Sequence, residues 1–138
     1  YQGLPDIRVI VFHNKVIQSM LRLPTSQSDG KANLHVGGVG VGVDCATGVT
    51  TRSFIKGCEV ATHPDTGATL GGIEIPGWET ILKISVVLSE IFPLGYMGID
   101  WVVNKEGDPV VLELNARPGI EIQNVNQRSL RPLLEAAR

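Results

Sequence analysis

The sequence predicts an α+β fold with a mainly antiparallel sheet and flanking helices. Several segments have the residue pattern of strands and are separated by turn residues. Only two stretches, 77–92 and 127–137, space their apolar residues as amphipathic helices do. Several strands combined with two helices are typical of an antiparallel sheet covered by helices.

Composition limits the classes of protein to which the chain can belong. Its 138 residues, of 14.8 kDa, suit one domain or part of a larger one, and the absence of an initial Met indicates a segment. A net charge of -2 argues against nucleic-acid or membrane binding by bulk charge, and no apolar run has the length of a membrane span. We expect no signal peptide. Cys45 and Cys58 indicate structural thiols in a reducing cytoplasm, with no disulfide framework or zinc site.

The first half of the chain has the pattern of a series of strands. Predicted strands cover 7–12, 16–23, 37–43 and 49–56. Residues 24–32 are polar and predict a mobile loop, and residues 61–72 are expected to be irregular. Glycine alternates with valine over 37–43, which indicates a strand whose backbone lies close to another group or bends.

The second half predicts a helix, a hairpin and a second helix. The first helix covers 77–92 and ends at Pro93. Its core face is expected to comprise Trp78, Ile81, Leu82, Ser85, Leu88 and Phe92. Strands at 96–104 and 109–115 flank a turn at Glu106-Gly107.

The hairpin is the most informative segment. A turn centred on Glu106-Gly107 places Asp100 opposite Glu113, and Asn115 on the same face two residues further on. Opposed carboxylates need a positive charge between them, and three hard oxygen donors favour Mg²⁺ or Mn²⁺ over zinc. A three-residue turn would shift this pairing by one, and charges at strand ends on a solvated face are the alternative.

Two arginines lie on the first pair of strands. Asp6 and Arg8 share a face, whereas Arg22 joins them only if the residue numbers of paired positions add to an even number, which the sequence leaves open. A guanidinium fits the oxygens of phosphate or acyl phosphate. The alternative is an exposed arginine paired with a nearby carboxylate.

Residues 96–100 and 110–119 together resemble the metal-binding end of the ATP-grasp ligases, in which an Asp is followed by Glu-x-Asn and then Pro-Gly. The resemblance implies ATP as cofactor, with Mg²⁺ (or Mn²⁺) bridging its phosphates. Asp100, Glu113 and Asn115 match the metal ligands of that family. Leu112 matches an apolar position that packs on the adenine, and Asn115 also belongs to the nucleotide-binding set.

Two further blocks, 6–11 and 33–38, are similar to the α-L-glutamate ligase branch, which includes enzymes related to ribosomal-protein glutamate ligase. The resemblance implies that Arg8 and Arg22 contact phosphate and that Asn33 orients phosphate or the acyl intermediate. Val36 departs from the arginine usual in that branch, so an acidic amino-acid acceptor is in question.

The implied protein is an ATP-dependent carboxylate-amine ligase of the peptide type, which forms an amide through an acyl phosphate. Residues 1–138 would form one partial ATP-grasp domain, the C-terminal lobe, without the N-terminal and adenine-clamping lobes and therefore inactive alone. Its partners would be small-molecule or peptide carboxylates and amines, with homo-oligomerisation open.

Alternative functions are a role in sugar or cell-surface polymer synthesis and a non-catalytic nucleotide-binding scaffold. His35 is a general base or a packed, hydrogen-bonded residue. Arg117 compensates for the missing cation, fixes a different acid or pairs with Glu121.

Overall fold

Seven antiparallel strands form a single sheet in the computed structural model, which describes residues 3–137. The strands are β1 (Asp6–Phe12), β2 (Lys15–Leu23), β3 (Val39–Val43), β4 (Thr50–Ile55), β5 (Cys58–Val60), β6 (Tyr96–Val103) and β7 (Pro109–Asn115). Their order across the sheet is β5-β4-β3-β2-β1-β6-β7. The hairpin of β6 and β7 therefore pairs with β1, the first strand of the chain.

Helices cover both faces of the sheet, and the predicted α+β class is confirmed. The helices are α1 (Trp78–Ile91), α2 (Glu121–Val125) and α3 (Leu130–Ala136), with a 3-10 helix at Leu34–Val36. Among the described residues, no helix has the length and hydropathy needed to cross a membrane. Cys45 and Cys58 are both free thiols.

The sheet has a hydrophobic core on each face because alternate residues of β1 point in opposite directions. Ile7, Val9 and Val11 belong to the core beneath α1, together with Trp101. Ile10, between them in sequence, belongs to the core beneath α2 and α3. The second core comprises Ile10, Met20, Ile122, Val125 and Leu130. Asp6 and Arg8 point to the side of this second core.

The predicted core face of α1 is correct except at its end. Trp78, Ile81 and Ser85 are buried, whereas Phe92 is 45% exposed. The helix ends at Ile91, and extended backbone at Phe92 (φ -107°, ψ 90°) turns this side chain away from the sheet. Ser89 is buried in its place.

The predicted C-terminal helix over 127–137 is wrong at its start. Gln127 has a left-handed backbone (φ 52°), which no α-helix continues, and the helix begins at Leu130. A separate short helix, α2, precedes it. The segment 61–72, expected to be irregular, follows a three-residue strand, β5, that sequence analysis missed.

The loop at 24–32, predicted to be mobile, is held in place by hydrogen bonds. Thr25 Oγ1 donates to the Gly37 carbonyl at 2.8 Å, and the Ser26 hydroxyl donates to Asp65 at 2.8 Å. His63 is buried and lies 3.0 Å from the Pro24 carbonyl through Nε2. These contacts fix the chain that leads to Asn33.

The glycines of β3 make room for α2. A Cβ atom on Gly40 would lie 2.6 Å from Val125 Cγ2, and one on Gly42 would lie 2.8 Å from Asn126 Oδ1. The sequence predicted that the backbone of β3 lies close to another group, and that group is the helix α2. This close approach brings α2 against the sheet beside the two arginines.

We expect Gly40→Ala to lower the free energy of unfolding by about 1–3 kcal/mol, because the added methyl overpacks the β3–α2 contact. Urea denaturation measures this loss. The matched test is the double variant with Val125→Ala, which removes the methyl that the new Cβ meets. Strictly additive effects of the two substitutions would contradict this explanation.

Candidate active site

A β-bulge in the β6–β7 hairpin places Asp100 opposite Glu113. The turn has three residues, since the Asn104 N–H donates to the Asp108 carbonyl at 2.9 Å, and the predicted two-residue turn is wrong. Next to the turn, Trp101 therefore pairs with Val111. The register shifts between Asp100 and Trp101, which leaves Leu112 as the extra residue and restores the pairing of Asp100 with Glu113.

The first hairpin contains a similar irregularity. Its turn consists of His13 and Asn14, whose backbones are both left-handed (φ 46° and 62°). Because this turn has two residues, the residue numbers of paired positions next to it add to an odd number. A register shift after Ile10 changes the sum to even. Asp6 therefore pairs with Arg22, and the question left open by the sequence is settled: Arg22 shares a face with Asp6 and Arg8.

Asp6, Arg8, Arg22 and Asp100 form one ion-pair network. Arg8 and Asp100 pair across β1 and β6, with Nε–Oδ1 and Nη2–Oδ2 distances of 2.8 and 2.9 Å. Arg22 binds Asp6 in the same two-pronged way at 2.7 and 2.5 Å, and its Nη2 lies 3.1 Å from Asp100 Oδ2. The side chains are only 6–14% exposed. Such buried charges are tolerated because each one has a partner.

This environment changes the protonation of two members of the network. Burial raises the pKa of Asp6 above its usual 3.8, and the hydrogen bond from Arg22 opposes this change only in part. The hydrogen bond with Asp100 raises the pKa of Arg8, so its guanidinium stays charged. Arg8 also supplies positive charge near both Asp100 and Glu113, the role for which the sequence suggested a metal ion.

The oxygen donors on β7 are more accessible than Asp100. Glu113 is exposed and forms no ion pair with any residue in 3–137. Asn115 pairs with Gly98 and accepts a hydrogen bond from the Arg117 N–H at 2.9 Å. Gly98 is required here, because a Cβ atom would lie 2.8 Å from Pro118, which folds back over β6.

The chemistry of these donors fits a hard divalent cation. Within residues 3–137 no three His, Cys, Asp or Glu residues are grouped to hold a metal, so a site here would combine two carboxylates with an amide. Register places the carboxylates opposite each other, and Asn115 follows two residues after Glu113. Both oxygens of Asp100 already accept guanidinium N–H groups. Metal ligation by Asp100, Glu113 and Asn115 therefore stays a prediction.

A cleft of about 310 Å³ brings the predicted catalytic residues together. It is lined by Arg8, Met20, Arg22, Ala32, Asn33, Leu34, His35, Gly119 and Glu121. Asn33 caps the 3-10 helix, its Oδ1 accepting the His35 N–H at 3.0 Å. Leu112 lies apart from this cleft, 52% exposed at the bulge of the edge strand β7, and its contact with adenine stays a prediction.

Sequence analysis did not predict the contact that Glu121 makes in this cleft. Its Oε1 lies 2.8 Å from His35 Nε2, and both alternatives for the role of His35 stay predictions. Arg117 is exposed and does not form the suggested pair with Glu121. Glu121 opens a five-residue helix, which is too short to leave a periodic signal in the sequence.

Comparison with known proteins agrees with this arrangement. The model of one family, sugar-transfer associated ATP-grasp, matches residues 1–138. The chain belongs to the sugar-transfer associated ATP-grasp family. It also resembles solved structures of the ATP-grasp ligase PsnB: one with minimal precursor (19% identity, TM-score 0.54) and one with minimal precursor, Mg and ADP (15%, 0.53).

These similarities cover 99% of this ATP-grasp chain but only 34% and 32% of the two PsnB chains. The chain therefore spans about a third of those structures, and the likeness at this identity concerns the fold. The search of curated proteins gave no match. The predicted ATP-grasp resemblance and the partial ATP-grasp fold are both confirmed.

We expect the burial of Asp6 to produce a specific pH dependence of stability. Because its pKa is raised in the folded state, its contribution to stability is complete below pH 3.8 and is lost as the pH rises through the raised pKa. Asp6→Asn removes this loss. The free energy of unfolding of the variant minus that of the unmodified protein should therefore increase with pH, measured by urea denaturation from below pH 3.8 upward.

Asp29→Asn, at an exposed position, is the matched control and should give a difference that does not increase in this way. A constant difference for Asp6→Asn over the same pH range would contradict the burial argument.

Proposed function

We propose that this chain forms the phosphate- and metal-binding part of an ATP-dependent carboxylate-amine ligase that works through an acyl phosphate. The observation that carries the proposal is the shared cleft of Arg8, Arg22 and Asn33, beside a strand pair that carries Asp100, Glu113 and Asn115. Cations for phosphate and oxygen donors for a metal ion thus lie on neighbouring strands. Membership of an ATP-grasp family supports this assignment.

The two arginines suit the transferred phosphoryl group. Each is a planar fork with N–H donors, and each is anchored through Nε and Nη2 to a carboxylate. Anchored guanidiniums are preorganised, so little rotamer freedom is lost when phosphate oxygens bind. Arg8 and Arg22 would hold the phosphoryl group, and Asn33 would orient it or the acyl intermediate.

Asp100, Glu113 and Asn115 would hold Mg²⁺ or Mn²⁺, and Leu112 would contact the adenine. A metal held there would supply positive charge that stabilises the negative charge of the ATP phosphates. One PsnB structure contains Mg and ADP, which supports the same cofactors here. Asp100 already accepts two N–H groups from Arg8 and lies 3.1 Å from Arg22 Nη2, so a bound metal would share its oxygens with the network.

The substrates are proposed as a small-molecule or peptide carboxylate and an amine. A PsnB structure contains a precursor peptide, which supports a peptide-type ligase. Resemblance of 6–11 and 33–38 to glutamate ligases supports an amino-acid acceptor. The second candidate is a ligase associated with sugar or cell-surface polymer synthesis, favoured by the name of the matched family and by Val36 in place of arginine.

Calorimetric titration with ADP and Mg²⁺ tests the proposed site. We expect Glu113→Gln to weaken Mg²⁺-dependent ADP binding at least tenfold, equivalent to about 1.4 kcal/mol, because one carboxylate ligand is lost. Glu106→Gln, an exposed glutamate in the turn of the same hairpin, is the matched control and should bind like the unmodified chain. Mg²⁺ alone should bind weakly, since Asp100 is paired with guanidiniums.

Equal affinity of the Glu113→Gln and Glu106→Gln chains would contradict the metal assignment. Absence of ADP binding to the unmodified chain, combined with tight binding of a protein partner, would support a scaffold without catalysis.

We further propose that residues 1–138 are one partial domain, the C-terminal lobe, and that this chain is inactive without the adenine-clamping lobe. The chain covers about a third of the PsnB structures, which supports this interpretation. Measured ATP turnover should be at background level even where Mg²⁺-ADP binding is detectable. Turnover that reaches typical enzyme rates, about 1 per second or more, would contradict it.

A further inference from the structure

The long helix α1 carries a second apolar stripe on the side that faces away from the sheet. Ile84, Val87 and Ile91 are 39%, 44% and 61% exposed, and Thr80, one turn before Ile84, is exposed as well. A helix on the surface of a globular protein usually presents charged and polar residues to water on this side. We call these four residues the outer stripe.

The outer stripe has the spacing of a contact between two helices. Its members lie 4, 3 and 4 residues apart, which is the alternation that two helices use when they pack along their length. All four side chains are β-branched, so they are stiff in a helix and lose little rotamer freedom when a partner covers them. The surface is therefore suited to packing against another helix.

Charged residues border the outer stripe on one flank only. Lys83 and Glu90 are exposed and directly precede Ile84 and Ile91. Lys83 Nζ lies 2.9 Å from Glu79 Oε1, whereas Glu90 forms no ion pair within residues 3–137. The opposite flank carries residues that pack toward the core, namely Ile81 and Leu88. One cation and one anion thus lie on the same flank, two turns apart.

A second copy of α1 that runs antiparallel satisfies both the apolar and the charged pattern. With Ile84 of each copy opposite Val87 of the other, the same register places Thr80 opposite Ile91. In an antiparallel pair each flank meets its own copy, so Lys83 of one chain lies near Glu90 of the other, twice by symmetry. In a parallel pair the charged flank would meet the opposite flank, and neither residue would gain a charged partner.

We propose that the outer stripe is the contact surface between two copies of this chain, packed antiparallel along α1. The 14 residues of α1 extend for about 21 Å, so the contact is small and the association is weak and reversible. A membrane surface fits the stripe less well, because Glu79 and Glu90 outnumber Lys83 beside it and anionic lipids would repel them.

This association does not depend on the proposed ligase function. Helix α1 packs on one core of the sheet, whereas the cleft lined by Arg8 and Arg22 lies on the side of the core beneath α2 and α3. Two chains joined along α1 therefore leave this cleft open.

Sedimentation velocity of the full chain, over a broad range of protein concentrations and without nucleotide, tests the proposal. We expect a monomer–dimer equilibrium. Val87→Ala should weaken it at least tenfold, because apolar contact is lost at the centre of the stripe. The substitution replaces an exposed side chain with a better helix former, so the fold of the variant is retained.

Charge reversal tests the antiparallel arrangement. Lys83→Glu and Glu90→Lys should each weaken self-association at least tenfold, because each brings like charges together at both symmetry-related positions. An equimolar mixture of these two variants should associate about as tightly as the unmodified chain, since every pair in the mixed dimer again joins opposite charges.

The matched control uses the exposed ion pair of α3, on the other side of the sheet. Arg131 Nε lies 3.1 Å from Glu135 Oε1, four residues apart as Glu79 and Lys83 are. Arg131→Glu and Glu135→Lys should leave the monomer–dimer equilibrium unchanged, alone or mixed.

Several results would overturn the proposal. A chain that stays monomeric at every concentration has no such contact, and a monomer that binds vesicles of phosphatidylcholine and phosphatidylserine would assign the stripe to a lipid surface. A dimer that is unaffected by Val87→Ala would use another part of the molecule. Failure of the mixed Lys83→Glu and Glu90→Lys chains to associate would exclude the antiparallel register.

Discussion

The pairing of Arg8 with Asp100 across β1 and β6 is the contact on which the arrangement of the candidate site depends. The Asp100 side chain is 6% exposed and that of Arg8 12% exposed, so neither charge is well solvated by water. Removing one partner from such a pair typically costs about 3–5 kcal/mol, because the other charge is left buried. Arg22 extends the pair to Asp6, and the four charges then balance each other. A neutral network of this kind keeps two guanidiniums in fixed positions at a cleft.

The same strands carry the core residues and the residues of the site, which explains why the sheet contains bulges. Each face must bury apolar side chains, because α1 packs on one side and α2 with α3 on the other. A bulge moves one strand by one residue relative to its neighbour, so it changes which residues share a face. The bulges after Ile10 and at Leu112 bring the polar residues of both hairpins to the side of α2.

The approach of α2 to the sheet shapes the cleft that is lined by Arg8 and Arg22. Gly40 and Gly42 leave space for Val125 and Asn126, so the helix lies directly on β3. Its first residue, Glu121, then lies beside His35 in the lining of this cleft. Loop contacts at Thr25 hold the segment that leads to Asn33. Apolar packing next to the charged residues therefore decides how the polar groups of the site meet, since Gly40 pairs directly with Arg22.

The sequence by itself determined the α+β class, most of the strands, the long helix and the resemblance that led to the family. Period-two and helical patterns depend only on which residues face the core, so they can be read along the chain. The segments 96–100 and 110–119 likewise carry Asp100, Glu113 and Asn115 at readable spacing. The pairing of Asp100 with Glu113 was predicted correctly, but from a turn of the wrong length. The longer turn shifts the register by one residue, and the bulge at Leu112 shifts it back.

Tertiary structure alone decided the face of Arg22, the ion-pair network and the pair of His35 with Glu121. Bulges have little sequence signature, because the extra residue is accommodated by packing against both faces of the sheet. His35 and Glu121 are far apart in the chain and meet only because β3 lacks side chains where α2 lies. Contacts between distant segments depend on how whole elements pack, and local residue patterns carry no information about that packing.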